Sequence, residues 1–230
     1  MTHKPDASHA TRREFIRSSA LLTAGATTMG ALAPAVHAAE DNTVRLALIG
    51  CGNRGAGAVA NALNTSYQGP IKLYAMADLK LSQIESKLTV LKEKYPENVD
   101  VAPDRKFLGF EAYKHAIDLL KPGDIAMCTT RAYIRPVHVE YAVSKGIHVF
   151  MEKPFASDPA GLHRMLRAGE EADKNGVKIA AGLQCRHSPA RAALIEKIRD
   201  GAIGDLSYIR ANRLTGRRWM GDQGEKSNDL

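Results

Sequence analysis

One short stretch constrains the fold more than any other: Val44–Gly57, reading VRLALIGCGNRGAG. Val44, Leu46, Leu48 and Ile49 form an apolar run whose only charge is Arg45. Such a run suits a strand covered on both faces of a parallel sheet. It ends in Gly50-Cys51-Gly52-Asn53-Arg54-Gly55, which fits G-x-G-x-x-G, and the Ala-rich Ala56–Leu63 behind it reads as a helix. The glycines answer steric needs. Gly50 allows a tight strand-to-helix turn, Gly52 lets the backbone approach a pyrophosphate, and Gly55 lets helix pack on strand. The pyrophosphate would sit at the helix N-terminus, where unpaired N–H groups and the helix dipole favour negative charge. Asn53 lies inside this loop, and Arg54 is placed to add a direct phosphate contact.

A glycine loop alone is weak evidence, and its context decides its meaning. A second apolar run, Ile71–Ala77, ends in Asp78, about 20 residues past the loop, where the dinucleotide fingerprint places an acid. A carboxylate there accepts bonds from the adenosine ribose hydroxyls, which favours NAD. Lys80, two residues on, softens the preference against the 2′-phosphate of NADP. The bland alternative is a Gly-rich turn with a capping Asp.

The chain has 230 residues, enough for one domain and part of another. Its composition, 44% hydrophobic and 25% charged, is that of an ordinary globular protein. The net charge of +7 is spread along the chain, with small clusters at 186–191 and 210–218. No aromatic interleaving or nucleic-acid motif accompanies it, so a basic surface for anionic substrates is expected and nucleic acid is not. Cys51, Cys128 and Cys185 show neither C-x-x-C nor metal-ligand spacing, and are read as small buried residues.

The N-terminal segment has its own pattern. Thr11-Arg12-Arg13-Glu14-Phe15-Ile16-Arg17 is followed by the moderately apolar Ser18–Val36 and then by Val36-His37-Ala38. The first motif resembles the twin-arginine export signal, and the whole has the three-part layout of a signal peptide cut before Ala39. An uncleaved anchor is the alternative. The export reading implies a periplasmic protein that meets the twin-arginine machinery folded, with its cofactor bound. Residues 1–38 are therefore expected to be the signal peptide, with the folded domain beginning after them.

From residue 43 onward, strand and helix patterns alternate. Strands are expected at Val44–Ile49, Ile71–Ala77, Val99–Ala102, Asp124–Thr129, Ile147–Met151 and Val177–Leu183. Helices are expected at Ala56–Leu63, Leu79–Tyr95, Gly109–Leu120, Pro136–Ser144, Asp158–Lys174 and from Ser188 to Arg199. Leu206–Arg213 alternates weakly as a further strand. The alternation predicts an α/β fold, a Rossmann-type doubly wound parallel sheet over residues 43–185. Residues 186–230 then read as the start of an incomplete α/β domain.

Glu152-Lys153-Pro154 follows a late strand, behind the glycine-loop strand. Together these resemble the Gfo/Idh/MocA oxidoreductases over about residues 43–213. Gln184–Pro189 and Asp200–Gly204 look like the next landmarks. The resemblance implies a Rossmann domain followed by a domain whose open, mostly antiparallel sheet covers the active site. Members run well past 300 residues, so the chain is expected to be C-terminally truncated, with homo-oligomers forming through that sheet when full length. It also implies hydride transfer between a nicotinamide cofactor, NAD or NADP, and a sugar, polyol or related small molecule.

Under this resemblance Lys153 is the expected catalytic residue, hydrogen-bonding the reacting oxygen and relaying its proton. Pro154 fixes the backbone so that Lys153 points into the cleft, and Glu152 orients the cofactor or Lys153. Read blandly, the trio is a solvated pair before a turn. His138 matches a histidine that relatives carry after the fourth strand; it contacts the cofactor or is a structural histidine. One departure stands out. Relatives have a Thr-Pro-Asn-like turn along the cofactor, and here the chain reads Thr129-Thr130-Arg131-Ala132-Tyr133-Ile134-Arg135-Pro136. Thr129 and Thr130 remain candidates for the cofactor, and Arg131 and Arg135 for an anionic substrate or as solvated loop charges. A second catalytic histidine is expected beyond Leu230. Two other functions stay open: an NAD-dependent glycoside hydrolase on the same fold, and a nucleotide-binding fragment without chemistry.

Overall fold

The computed structural model describes residues 42–212. The export signal expected in residues 1–38 and the continuation past residue 212 lie outside these residues. The described chain divides into two compact units, meeting between Ala181 and Gly182.

The first unit is one six-stranded sheet: β1 (Val44–Ile49), β2 (Ile71–Asp78), β3 (Lys106–Leu108), β4 (Ile125–Cys128), β5 (His148–Met151) and β6 (Ile179–Ala181). The order is β3-β2-β1-β4-β5-β6, and every pairing is parallel. Five helices connect the strands: α1 (Asn53–Leu63), α2 (Leu81–Lys94), α3 (Ala112–Asp118), α4 (Arg135–Ser144) and α5 (Pro159–Lys174). This is the doubly wound order expected of the alternating pattern.

Parallel crossovers put helices on both faces, so the central strand is apolar without alternation. Leu46, Ala47, Leu48 and Ile49 are each at most 2% exposed. Leu46 and Leu48 pack with Leu73, Met76 and Met127 against Ala58, Val59 and Leu63 of α1 and Ile84 and Leu91 of α2. Ala47 and Ile49 face the other way, with Ala75, Ala77 and Ala126, against Ala116 and Ile117 of α3 and Val139 and Val143 of α4. Four alanine-sized positions on the second face let those helices sit close to the sheet. Each fully buried Leu, Ile or Val contributes about 1.5–3 kcal/mol relative to its exposed state.

The third strand is not where the sequence pattern puts it. Val99–Ala102 forms only a bridge between Leu73 and Val99, and β3 lies at Lys106–Leu108, opposite Met76–Asp78. Val99 is instead buried against the first helical face. Pro103 opens a single 3-10 turn, and the three residues after it pair. An edge strand this short has no room for a period-two signal. α3 is also shorter than expected, because residues 109–111 form a turn whose Gly109 carbonyl accepts from the Ala112 N–H at 3.2 Å.

The second unit contains α6 (Pro189–Arg199), begun by Pro189 and capped by the Ser188 hydroxyl. None of its residues is buried. Residues 206–212 form no strand among the described residues, contrary to the weak alternation there. A lone strand has nothing to pair with, and pairing rather than propensity makes a strand.

Candidate active site

Parallel pairing brings the carboxyl ends of β1, β2, β4 and β5 to one edge of the sheet. The order reverses between β1 and β4, and open α/β sheets bind ligands in the crevice beyond that point. Four separated stretches meet there: the glycine loop after β1, Asp78 closing β2, Thr129-Thr130 after β4, and Glu152-Lys153-Pro154 after β5. A depression lined by Val44, Thr65, Pro70, Ile71 and Ile125 lies at the opposite, amino-terminal edge.

The three glycines occupy three different environments. Gly50 has φ +94°, and a β-carbon on it would lie 2.9 Å from the Thr130 nitrogen. A β-carbon on Gly55 would fall on the Gly50 carbonyl and 2.6 Å from Thr129 Oγ1. One on Gly52 would meet nothing within 4 Å. Gly52 is also the N-cap of α1, whose first turn carries no acid and whose cap makes no side-chain bond. Exposed Asn53 and Arg54 begin that helix. An open backbone at a helix start, with N–H groups unsatisfied within the helix, fits a diphosphate.

Two neighbours hold the loop. Thr129 Oγ1 donates to the Gly50 carbonyl at 2.6 Å, and its N–H donates to the Ile49 carbonyl at 2.9 Å. Asp78 Oδ2 accepts from the Cys51 N–H at 2.6 Å, and Oδ1 accepts from the Lys80 N–H at 3.0 Å. Each carboxylate oxygen has a second lone pair. Asp78 can therefore seat the loop and still accept from ribose hydroxyls. Cys51 and Cys128 are buried, and burial pushes both thiols up, Cys128 to about 12. They are not nucleophiles. Cys185 departs from the expected burial and is exposed.

The β4 and β5 exits make the other wall. Glu152 is 5% exposed, and its Oε1 accepts from Arg54 Nε at 2.6 Å, tying the start of α1 to the end of β5. Lys153 and Pro154 are exposed, and the peptide between them is cis. His138, on α4, is buried, with Nδ1 3.1 Å from Thr130 Oγ1 and its ring 4.3 Å from that of Tyr113. Burial, helped by Arg135, pushes its pKa down to about 4, so it is a neutral imidazole at neutral pH. It orients the Thr130 hydroxyl from inside the protein.

Arg135 corrects the sequence reading. It is neither a solvated loop charge nor open to an anionic substrate: it is 3% exposed. Nη1 donates to the carbonyls of Glu152 and Pro154, and Nη2 to that of Thr130. Arg131, by contrast, is exposed. The available signal for Arg135 was one charge amid Ile134, Pro136 and Val137 at a helix start. That signal names no partner.

A doubly wound sheet of this order, carrying this glycine corner and this acid, defines a dinucleotide-binding α/β protein. The model of the Gfo/Idh/MocA oxidoreductase family, with its NAD-binding Rossmann fold, matches residues 44–182, and the chain belongs to that family. Among solved structures it is similar to an oxidoreductase from Thermotoga maritima, at 23% identity and a TM-score of 0.54, over 71% of this chain and 45% of that one. It is similar to myo-inositol 2-dehydrogenase from Lactobacillus plantarum, at 23% identity and 0.55, over 70% and 42%. It is similar to scyllo-inositol dehydrogenase from Lactobacillus casei, solved with NAD(H) and scyllo-inositol, at 16% and 0.54, over 71% and 43%. The likeness is one of fold, and the chain spans less than half the length of each structure.

Proposed function

We propose that this chain is the cofactor-binding part of an NAD(P)-dependent oxidoreductase acting on a sugar, polyol or related small molecule. The observation that carries the reading is the meeting, at the switch point of the sheet, of an open glycine corner, a ribose-ready carboxylate and one exposed lysine. Family membership and the two inositol dehydrogenases of like fold support it.

The nicotinamide cofactor, when bound, supplies the hydride chemistry. The chain's own residues do the rest. Gly50, Gly52, Asn53 and Gly55, with the N–H groups starting α1, hold the diphosphate. Asp78 holds the ribose and favours NAD. Thr129, Thr130, His138, Glu152 and Pro154 shape the cofactor's edge. Lys153 hydrogen-bonds the reacting oxygen and passes its proton to or from solvent. Arg12-Arg13 would send the protein, folded and loaded, through the twin-arginine route to the periplasm, where the full-length form acts as a homo-oligomer.

The test is titration of the full-length protein with NADH and NADPH, followed by fluorescence. NADH is expected to bind more tightly than NADPH, and Lys153→Met to retain NADH binding while losing turnover of a candidate polyol such as myo-inositol. Binding of neither dinucleotide would overturn the proposal. Sugar release without net change in NADH would replace it with hydrolase chemistry.

A further inference from the structure

We infer that Arg135 is a positioning residue for Lys153: its buried guanidinium joins the exits of β4 and β5 and so sets where the Lys153 side chain starts. What Lys153 does there rests on the oxidoreductase reading, but what Arg135 holds does not.

Cys128 and Met151 face each other at the ends of β4 and β5, and the Glu152 N–H still donates to the Cys128 carbonyl at 3.1 Å. Past that bond the two segments diverge. Thr129-Thr130 turns toward α4, and Pro154 has no N–H to offer. The carbonyls of Thr130, Glu152 and Pro154 have left the ladder, the Glu152 carbonyl within the protein and the other two at its edge, and a carbonyl shielded from water without a partner is costly.

One side chain serves all three. Arg135 stands at the first position of α4, and its two amino groups donate to these carbonyls. Two of them, Glu152 and Pro154, belong to the residues on either side of Lys153. The backbone of the lysine is therefore held at both ends, from a helix that starts on the neighbouring strand's exit. The strand ladder does not reach these carbonyls, because the two exits diverge beyond the Glu152–Cys128 bond and the donors must converge on two separate segments.

The chemistry selects arginine. A guanidinium offers five N–H donors in a rigid plane, whereas a lysine ammonium is a point on a flexible stem. The Glu152 carboxylate, the nearby acid, is bonded to Arg54. Three backbone dipoles thus solvate the buried guanidinium, and the side chain serves the backbone. Arg135 also accounts for the unusual turn Thr129–Pro136. Two residues within it, Thr129 and Thr130, brace the glycine corner and His138, and Arg135 at its end carries the clamp.

The experiment uses the full chain with Arg135→Lys and Arg135→Ala, the latter with and without methylguanidinium. The readouts are NADH binding, the melting temperature, and the rate at which Lys153 is modified by reductive methylation across pH, followed by peptide mass spectrometry. Loss of charge-assisted bonds on both sides of the lysine should change the Lys153 rate and weaken NADH binding by about tenfold in Arg135→Ala. Methylguanidinium should restore both, and Arg135→Lys, which keeps the charge and part of the bonding, should melt between Arg135→Ala and the wild type and show the altered Lys153 profile. A merely structural arginine would lower the melting temperature without moving that profile. Folded variants whose Lys153 profile superposes on the wild type would overturn the inference, and if Arg135→Ala does not fold, Arg135→Lys decides alone. If the wild type binds no NADH, the oxidoreductase proposal falls, while the Lys153 profile without dinucleotide still judges Arg135.

Discussion

The two walls of the crevice are held in opposite ways. The glycine corner is defined by what is missing: β-carbons at Gly50 and Gly55 would strike backbone, and one at Gly52 would fill open space. The β4 and β5 exits are defined by what is added, a buried arginine donating to three carbonyls. The first wall depends on steric room, and the groups that seat it are the Asp78 carboxylate on the Cys51 N–H and the Thr129 hydroxyl on the Gly50 carbonyl. The second contains a buried cation and a neutral buried histidine, and so carries electrostatic consequences. An approach to backbone can be achieved by removing atoms. Convergence of distant segments requires a donor long enough to reach both.

Acid should expose the difference most strongly. A histidine titrates near 6.5 when unfolded, and burial holds His138 down at about 4. Between these values the unfolded chain binds a proton that the folded chain refuses. The contribution is therefore complete above about pH 6.5 and is lost as pH falls toward about 4, on the order of 3 kcal/mol in all. Urea unfolding from pH 7 to 4 should show the wild type losing more stability than His138→Gln; parallel curves would remove this asymmetry between the walls. Next comes Gly55→Ala, whose new methyl meets the Gly50 carbonyl and Thr129 Oγ1. It should cost about 2–3 kcal/mol in thermal or urea unfolding and abolish NADH binding, and a variant as stable as the parent would contradict the steric account. Thr129→Val removes the donor to the Gly50 carbonyl and should cost about 1 kcal/mol by the same assay. Smallest in stability is Gly52→Ala, at about 0.5 kcal/mol for a poorer cap. There the expected result is a near-normal melt with clearly weakened NADH binding. Undiminished binding would mean that no ligand comes close to that backbone.

The first wall was legible in the sequence because its constraints are local. Gly50, Gly52 and Gly55 sit at fixed spacing between a continuous apolar strand and a helix, and steric need alone assigns their places. Most strands were legible for a related reason: Leu46–Ile49 is buried on both faces, and such burial leaves an unbroken apolar run. β3 was not, since Lys106–Leu108 is a three-residue edge whose pairing depends on where Met76–Asp78 lies. Arg135 was illegible in the same sense. Its partners at Thr130, Glu152 and Pro154 lie 5 to 19 residues away and converge only once β4 and β5 are adjacent. Asp78 falls between these cases. Its position announced a ribose ligand, but its bond to the Cys51 N–H required the folded loop.

That bond bears on any attempt to re-engineer coenzyme preference. Replacing Asp78 with a smaller neutral side chain, to admit the extra phosphate of NADP, also releases the Cys51 amide that the carboxylate seats. Two properties a designer would want to vary separately share one side chain. Substitutions at neighbouring Leu79 or Lys80 leave the seat intact, and a redesign is better begun there.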